Sequence, residues 1–109
     1  MEKRLGKVLK VVCGFGGYQD VQIGIGFTLG GDSWGVSSPF YGAWSTNVTE
    51  YTQWTEEDRI KQLGETFMKI CQWLKDCKVQ EVQELQGQPV ECIFDGMMLK
   101  EWRFLTEVI

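Results

Sequence analysis

Val21-Gln22-Ile23-Gly24-Ile25-Gly26-Phe27-Thr28-Leu29 is the most regular alternation in the chain. Val21, Ile23, Ile25, Phe27 and Leu29 fall on one side of an extended strand, and Gln22, Gly24, Gly26 and Thr28 on the other. Gly30-Gly31-Asp32-Ser33 offers a hairpin connection. A further strand is expected from Trp34 to Phe40, ending around Pro39. Upstream, residues 5–13 read as a first strand, broken by Gly14-Phe15-Gly16-Gly17, where glycine permits positive φ. Residues 41–53 read as polar and irregular.

After Trp54 the apolar period changes from two to 3.6 residues. Thr55 suits an N-cap, Asp58 stands where a capping box needs it, and Glu56, Glu57 and Asp58 complement the helix dipole. Ile60, Leu63, Phe67, Ile70, Leu74 and Cys77 then form one apolar stripe of a helix ending near Lys78. Lys61, Glu65, Gln72 and Lys75 fall on its wet side. Val79, Val82 and Leu85 suggest a short helical segment before Gly87 and Pro89. Val90 to Phe94 read as a fourth strand, Asp95-Gly96 as a hairpin turn, and Leu99 to Ile109 as a fifth strand that holds the C-terminus in the sheet. The expected fold is α+β over one domain, 1–109: an antiparallel β-sheet of about five strands, β-β-β-α-β-β, with one long amphipathic helix on one face.

The 109 residues are 43% hydrophobic and 24% charged, a balance that suits one globular domain and excludes a disordered chain. There is no apolar run long enough to span a bilayer and no signal-peptide core, so the reading is cytoplasmic, with no membrane partner. Charge is unevenly spread: residues 1–10 carry +3, residues 11–58 carry −6 with no Lys or Arg, and residues 59–109 carry −1. Such a small basic patch argues against duplex nucleic acid, which demands a broad cationic surface. The absence of histidine removes the usual general base and the commonest metal ligand. Cys13, Cys71, Cys77 and Cys92 lack zinc-site spacing and read as buried thiols in a reducing compartment; no metal or cofactor is implied. The sequon Asn47-Val48-Thr49 means little without secretion.

Residues 14–54 hold nine glycines, and their aromatics include Tyr18, Trp34, Tyr41, Trp44, Tyr51 and Trp54. Glycine in a strand often marks the close approach of another group. At Gly24 and Gly26 that group is the chain's own Trp34 or Trp44, a second subunit, or a flat ligand, and the reading leaves this side of the strand open for contact. Trp and Tyr give large contact area and stack on nucleobases, but they also serve as a lid over a small sheet. The binding candidates are Tyr18, Trp34, Tyr41, Trp44, Trp54, Arg59 and Arg103; the two arginines are chosen because each lies near a tryptophan in sequence, and each also has carboxylates nearby for an ordinary ion pair. Lys3, Arg4, Lys7 and Lys10 are the remaining anion contacts considered. Gly24 to Gly30 lacks phosphate-loop spacing. The only catalytic candidates are the carboxylates Asp20, Asp32 and Glu50, all in turn or loop stretches where such residues are common for conformational reasons.

Four stretches resemble small proteins encoded by bacteriophages and prophages: Gly16-Gly17-Tyr18-Gln19-Asp20, Trp54-Thr55-Glu56-Glu57-Asp58-Arg59, Gly87-Gln88-Pro89-Val90-Glu91, and the most specific, Leu99 to Val108. The resemblance implies an accessory protein of a mobile element acting inside a bacterial host cell. It carries over no functional residue. The leading expectation is a non-catalytic binding protein, an anti-defence inhibitor that neutralises a host factor by binding a host protein or sequestering a nucleotide signal. The chain is expected to form a homo-oligomer. The alternatives are a structural component of phage assembly that oligomerises through its sheet edges, with the first and last strands as candidates, and a small carboxylate-dependent hydrolase.

Overall fold

The long helix begins as its sequence dictates. In the computed structural model, which describes residues 1–45 and 54–109, α1 spans Glu56–Cys77. Thr55 Oγ1 accepts from the Asp58 N–H and the Asp58 carboxylate accepts from the Thr55 N–H, both at 3.1 Å. The helix stops at Lys78, whose φ of 58° ends the repeat while its N–H reaches back to the last turn.

Six strands form one antiparallel sheet: β1 Glu2–Gly16, β2 Gln22–Gly31, β3 Trp34–Ser37, β4 Tyr41–Trp44, β5 Pro89–Asp95 and β6 Met98–Phe104. The order is β3-β2-β1-β5-β6, and β4 joins the same edge of β2 as β3. The α+β arrangement is therefore as expected, with boundary corrections. β1 continues through Gly14 and Gly16, because the turn falls later, at Gly17 (φ 73°) and the 3₁₀ turn Tyr18–Asp20. β4 lies in a stretch read as irregular. It is separated from β3 at Pro39, and Ser38 fills the break: its N–H donates to the Phe27 carbonyl at 2.8 Å and its Oγ accepts from the Phe27 N–H at 3.0 Å. The last strand ends at Phe104, and Thr106–Val108 form a 3₁₀ turn instead of continuing it.

Facing residues of paired strands share a side, so the register defines both faces. Val8, Ile25, Phe27, Leu29, Val90, Cys92, Phe94 and Phe104 are buried on the helix side. An extra residue in β1 between Val8 and Lys10 shifts the alternation, which puts Val11, Cys13 and Phe15 on that same side. The helix meets this face along part of the expected stripe: Ile70, Leu74 and Cys77 lie on the core, but the flank at Ile60 and Phe67 does not. Ile60 and Phe67 remain 64% and 69% exposed, whereas Thr66 and Cys77 are buried and Trp73 packs on the core. The cause is Trp73, whose indole sits 5.1 Å from the rings of both Phe27 and Tyr41 and 5.7 Å from Trp102. Seating that large ring turns the helix about its axis and lifts one flank of the stripe off the sheet.

Two thiols are buried, Cys77 and Cys92, while Cys13 and Cys71 are exposed, which corrects the expectation of four buried cysteines. Burial pushes both buried thiols from 9.0 up to about 11, with Asp76 and Glu91 adding to the effect. The unfolded thiols lose their protons first, so folding stability should fall as pH rises from about 9 towards 11. A thiol reagent near neutral pH is expected to label Cys71 rapidly and Cys77 and Cys92 only on unfolding. Equal labelling rates at all three would contradict this packing.

Candidate functional site

The expected bare side of β2 is filled by the chain itself. At Gly24 a Cβ would overlap the Tyr41 carbonyl oxygen and stand 2.5 Å from Gly42 Cα, because β4 passes directly across it. At Gly26 it would stand 3.0 Å from the Phe40 ring, which also covers Gly16. The filling groups are Phe40 and the β4 backbone, not Trp34 or Trp44. Over Gly24 the β4 backbone leaves no position for a flat ligand, whereas Gly26 borders a cavity of about 320 Å³ beside the Phe40 ring.

The sequence-selected binding residues do not converge on one place. Trp34 lies on the helix side over Gly6 and Gly31, 5.5 Å from Phe94, and Arg4 sits 4.8 Å from the Phe94 ring. Tyr41 is tied into the core, accepting from the Trp102 indole N–H at 2.8 Å; burial raises its phenol and that hydrogen bond partly offsets the rise. Trp44 and Trp54 stack in parallel at 5.9 Å, at the sheet end next to the helix start. Arg59 pairs with Glu56 at 3.0 Å. Tyr18 is 75% exposed at the hairpin tip. Arg103 lies on β6, bound to Glu107 at 3.0 Å and Glu91 at 3.3 Å, and its hydrogen bond holds the Glu107 carboxylate below the usual range. Glu50, Tyr51 and the sequon Asn47-Val48-Thr49 lie outside the described residues. Asp20 and Asp32 flank opposite ends of β2, about 30 Å apart for a strand of that length, so they cannot work as an acid–base pair.

The described cavities hold few unopposed cations. One of about 340 Å³ beside Trp34 contains Arg4 alone, itself paired with Glu2 at 3.0 Å. On the helix, Lys61 and Lys69 share a wide hollow with Glu65 and Asp76. A nucleotide phosphate would demand at least two converging cations, which neither of these cavities provides without matching carboxylates.

The sequence reading expected the sheet face opposite the helix to be open at β2; the part of that face it missed is the one carried by β1. No described helix covers it. Lys3, Leu5, Lys7 and Lys10 share it by register with Glu91, Ile93, Thr28 and Ser37, and the Leu9 side chain lies over Gly30 on the same side. Leu5, Leu9 and Val12 are 66%, 40% and 38% exposed there. Beyond Val12 this apolar row runs into a cavity of about 320 Å³ lined by Gly16, Gly26, Ser38 and Phe40. The signal was legible: alternation along Lys3-Arg4-Leu5-Gly6-Lys7-Val8-Leu9-Lys10 already places lysines and leucines together, and the bulge adds Lys10. No helix of the described residues is long and apolar enough to cross a membrane. No family model, curated protein or solved structure matches the chain.

Proposed function

We propose that this chain is a small non-catalytic binding protein that captures a protein partner stoichiometrically through the uncovered sheet face. The observation that carries the reading is the exposed row Leu5, Leu9 and Val12, flanked by Lys3, Lys7 and Lys10 and ending in the Phe40 cavity. An exposed apolar patch with a polar rim is how a soluble domain presents an interface. The lysines select an acidic partner surface and speed encounter, and the leucines and the cavity take its apolar anchors. Three lysines, with Arg103 already bound to Glu91 and Glu107 and with Glu101 beside them, are too few for duplex nucleic acid. Within this proposal, the phage-type context makes the partner a host factor, and neutralising it in the bacterial cytoplasm is the biological role.

The test is affinity capture from bacterial extract with wild-type chain and a Leu5→Asp/Lys7→Glu variant, with mass spectrometry of retained proteins and small molecules. One acidic protein is expected, bound in a fixed ratio, weakened by salt, and held at least about tenfold less tightly by the variant. A nucleotide co-purifying in place of a protein would refute the reading, and so would the same protein bound equally by both forms.

A further inference from the structure

Beyond residue 8, one edge of β1 has no partner strand among the described residues. Pairing with β5 ends at Lys7 opposite Pro89, and Val8 makes the last backbone bonds across that edge, to Gly87 and Gln88. Lys10–Gly16 is therefore paired only with β2. Natural edges are blunted by charge, proline or brevity, whereas Val11-Val12-Cys13-Gly14-Phe15-Gly16 has neither charge nor proline. The side chains beside this edge are equally uncovered. Phe15 is 66% exposed, and Cys13 and Ile23 share a cavity of about 260 Å³ with Leu63 and Phe67 of α1. Phe67 and Ile60 are the flank of the apolar stripe that the chain's own sheet leaves bare. The molecule is also more extended than its length warrants, with a radius of gyration of 15.2 Å, against about 13 Å for a compact domain of this size.

We infer that this edge and groove are the interface of a two-fold dimer, in which β1 pairs antiparallel with β1 of a second copy. A strand is complementary to itself when run antiparallel, so the contact closes with two copies. A two-fold axis perpendicular to the sheet keeps both helices on one side, and residues from the same face then meet. The midpoint of Lys10–Gly16 is Cys13. Cys13 accordingly faces Cys13 of the second copy, Val11 faces its Phe15, and Val12 faces its Gly14. No like charges oppose each other in this register. The bare flanks of both helices, Ile60 and Phe67, then line the seam. A fully exposed phenylalanine offers about 200 Å², so Phe15, Ile60 and Phe67 supply on the order of 800 Å² over two copies. Pairing of two seven-residue edges brings the total towards the roughly 1,200–2,000 Å² of a stable interface. This inference does not depend on the capture function, which uses the opposite sheet face, and the dimer doubles that face within one continuous sheet.

Light scattering on size-exclusion fractions tests it, together with a short bismaleimide, in which each thiol adds across one maleimide double bond. The wild-type chain is expected to run as a dimer and to be cross-linked through Cys13, which pairing holds about 5 Å from its counterpart. Cys71→Ser should still cross-link. Cys13→Ser should lose the cross-link yet keep the dimer mass. Cys13→Lys sets two cations across the axis and is expected to give a monomer with an unchanged far-ultraviolet spectrum, since Cys13 is exposed in the single chain. A wild-type monomer at every concentration would overturn the interface, as would a dimer linked only through Cys71 or unmoved by Cys13→Lys. Leu5→Asp/Lys7→Glu should leave the mass unchanged, which separates this result from the capture test.

Discussion

Trp73→Ala is expected to cost about 3–5 kcal/mol, because it removes the ring that joins helix to sheet. Trp73 sits within 5.1 to 6.3 Å of Phe27, Tyr41, Trp102 and Phe104, and Phe27 also meets Trp102 and Phe104 edge-on. Edge-to-face pairs add about 0.5–1.5 kcal/mol each beyond area burial, and truncation leaves a cavity that neighbouring rings cannot collapse into without losing one another. The Trp102 indole would keep its bond to Tyr41 but lose the wall behind it. A domain of this length has only about 5–15 kcal/mol in total, so the variant should melt at least about 15 °C lower and lose much of its near-ultraviolet aromatic signal. Trp73→Phe keeps a ring in the gap and should lose markedly less. Met68→Ala, 70% exposed on the outer side of the same helix, should stay within about 0.5 kcal/mol. If Trp73→Ala and Met68→Ala proved equally mild, the helix would not be docked through this ring.

What the sequence disclosed follows from which forces are local. Capping at Thr55, the alternation around Ile25 and the turn at Gly96 are decided by residues within a few positions, so the elements were legible. The rotation of α1 was not, because Trp73 outcompetes Ile60 and Phe67 only when Phe27, Tyr41 and Trp102, distant in sequence, form its socket. The bulge between Val8 and Lys10 is a pairing property with no clear mark in the chain; plain alternation already sets Lys3, Leu5, Lys7 and Leu9 on one side, and the bulge adds Lys10 and Val12 to them. Aromatic richness in residues 14–54 pointed to contact, but much of it is spent on the core and on Phe40, which covers Gly16 and Gly26. The open face was instead written in the plainer residues of the first strand.

Gly24→Ala is expected to lose about 3 kcal/mol although it adds one methyl group. Overpacking costs about 1–3 kcal/mol when side chains can shift, and more when backbone must move. Here the obstacle is backbone on both sides: the new Cβ would overlap the Tyr41 carbonyl oxygen, and the facing Gly42 is itself pressed against the Ile23 carbonyl. β2 and β4 approach too closely at this pair for either strand to carry a side chain, so relief demands that β4 lift away. That movement would drag Tyr41 from Trp73 and Trp102 and uncover Ala43, which is fully buried. The informative comparison is Gly64→Ala in the middle of α1, where a Cβ meets nothing within 4 Å. That change should stabilise by about 1 kcal/mol through helix propensity alone. Urea midpoints for the two variants should therefore move in opposite directions. If both rose, β4 would not be seated across β2 and the glycine-bearing side would be open after all. If Gly24→Ala fell while Gly64→Ala rose, the glycines of β2 are keeping room for the chain's own fourth strand.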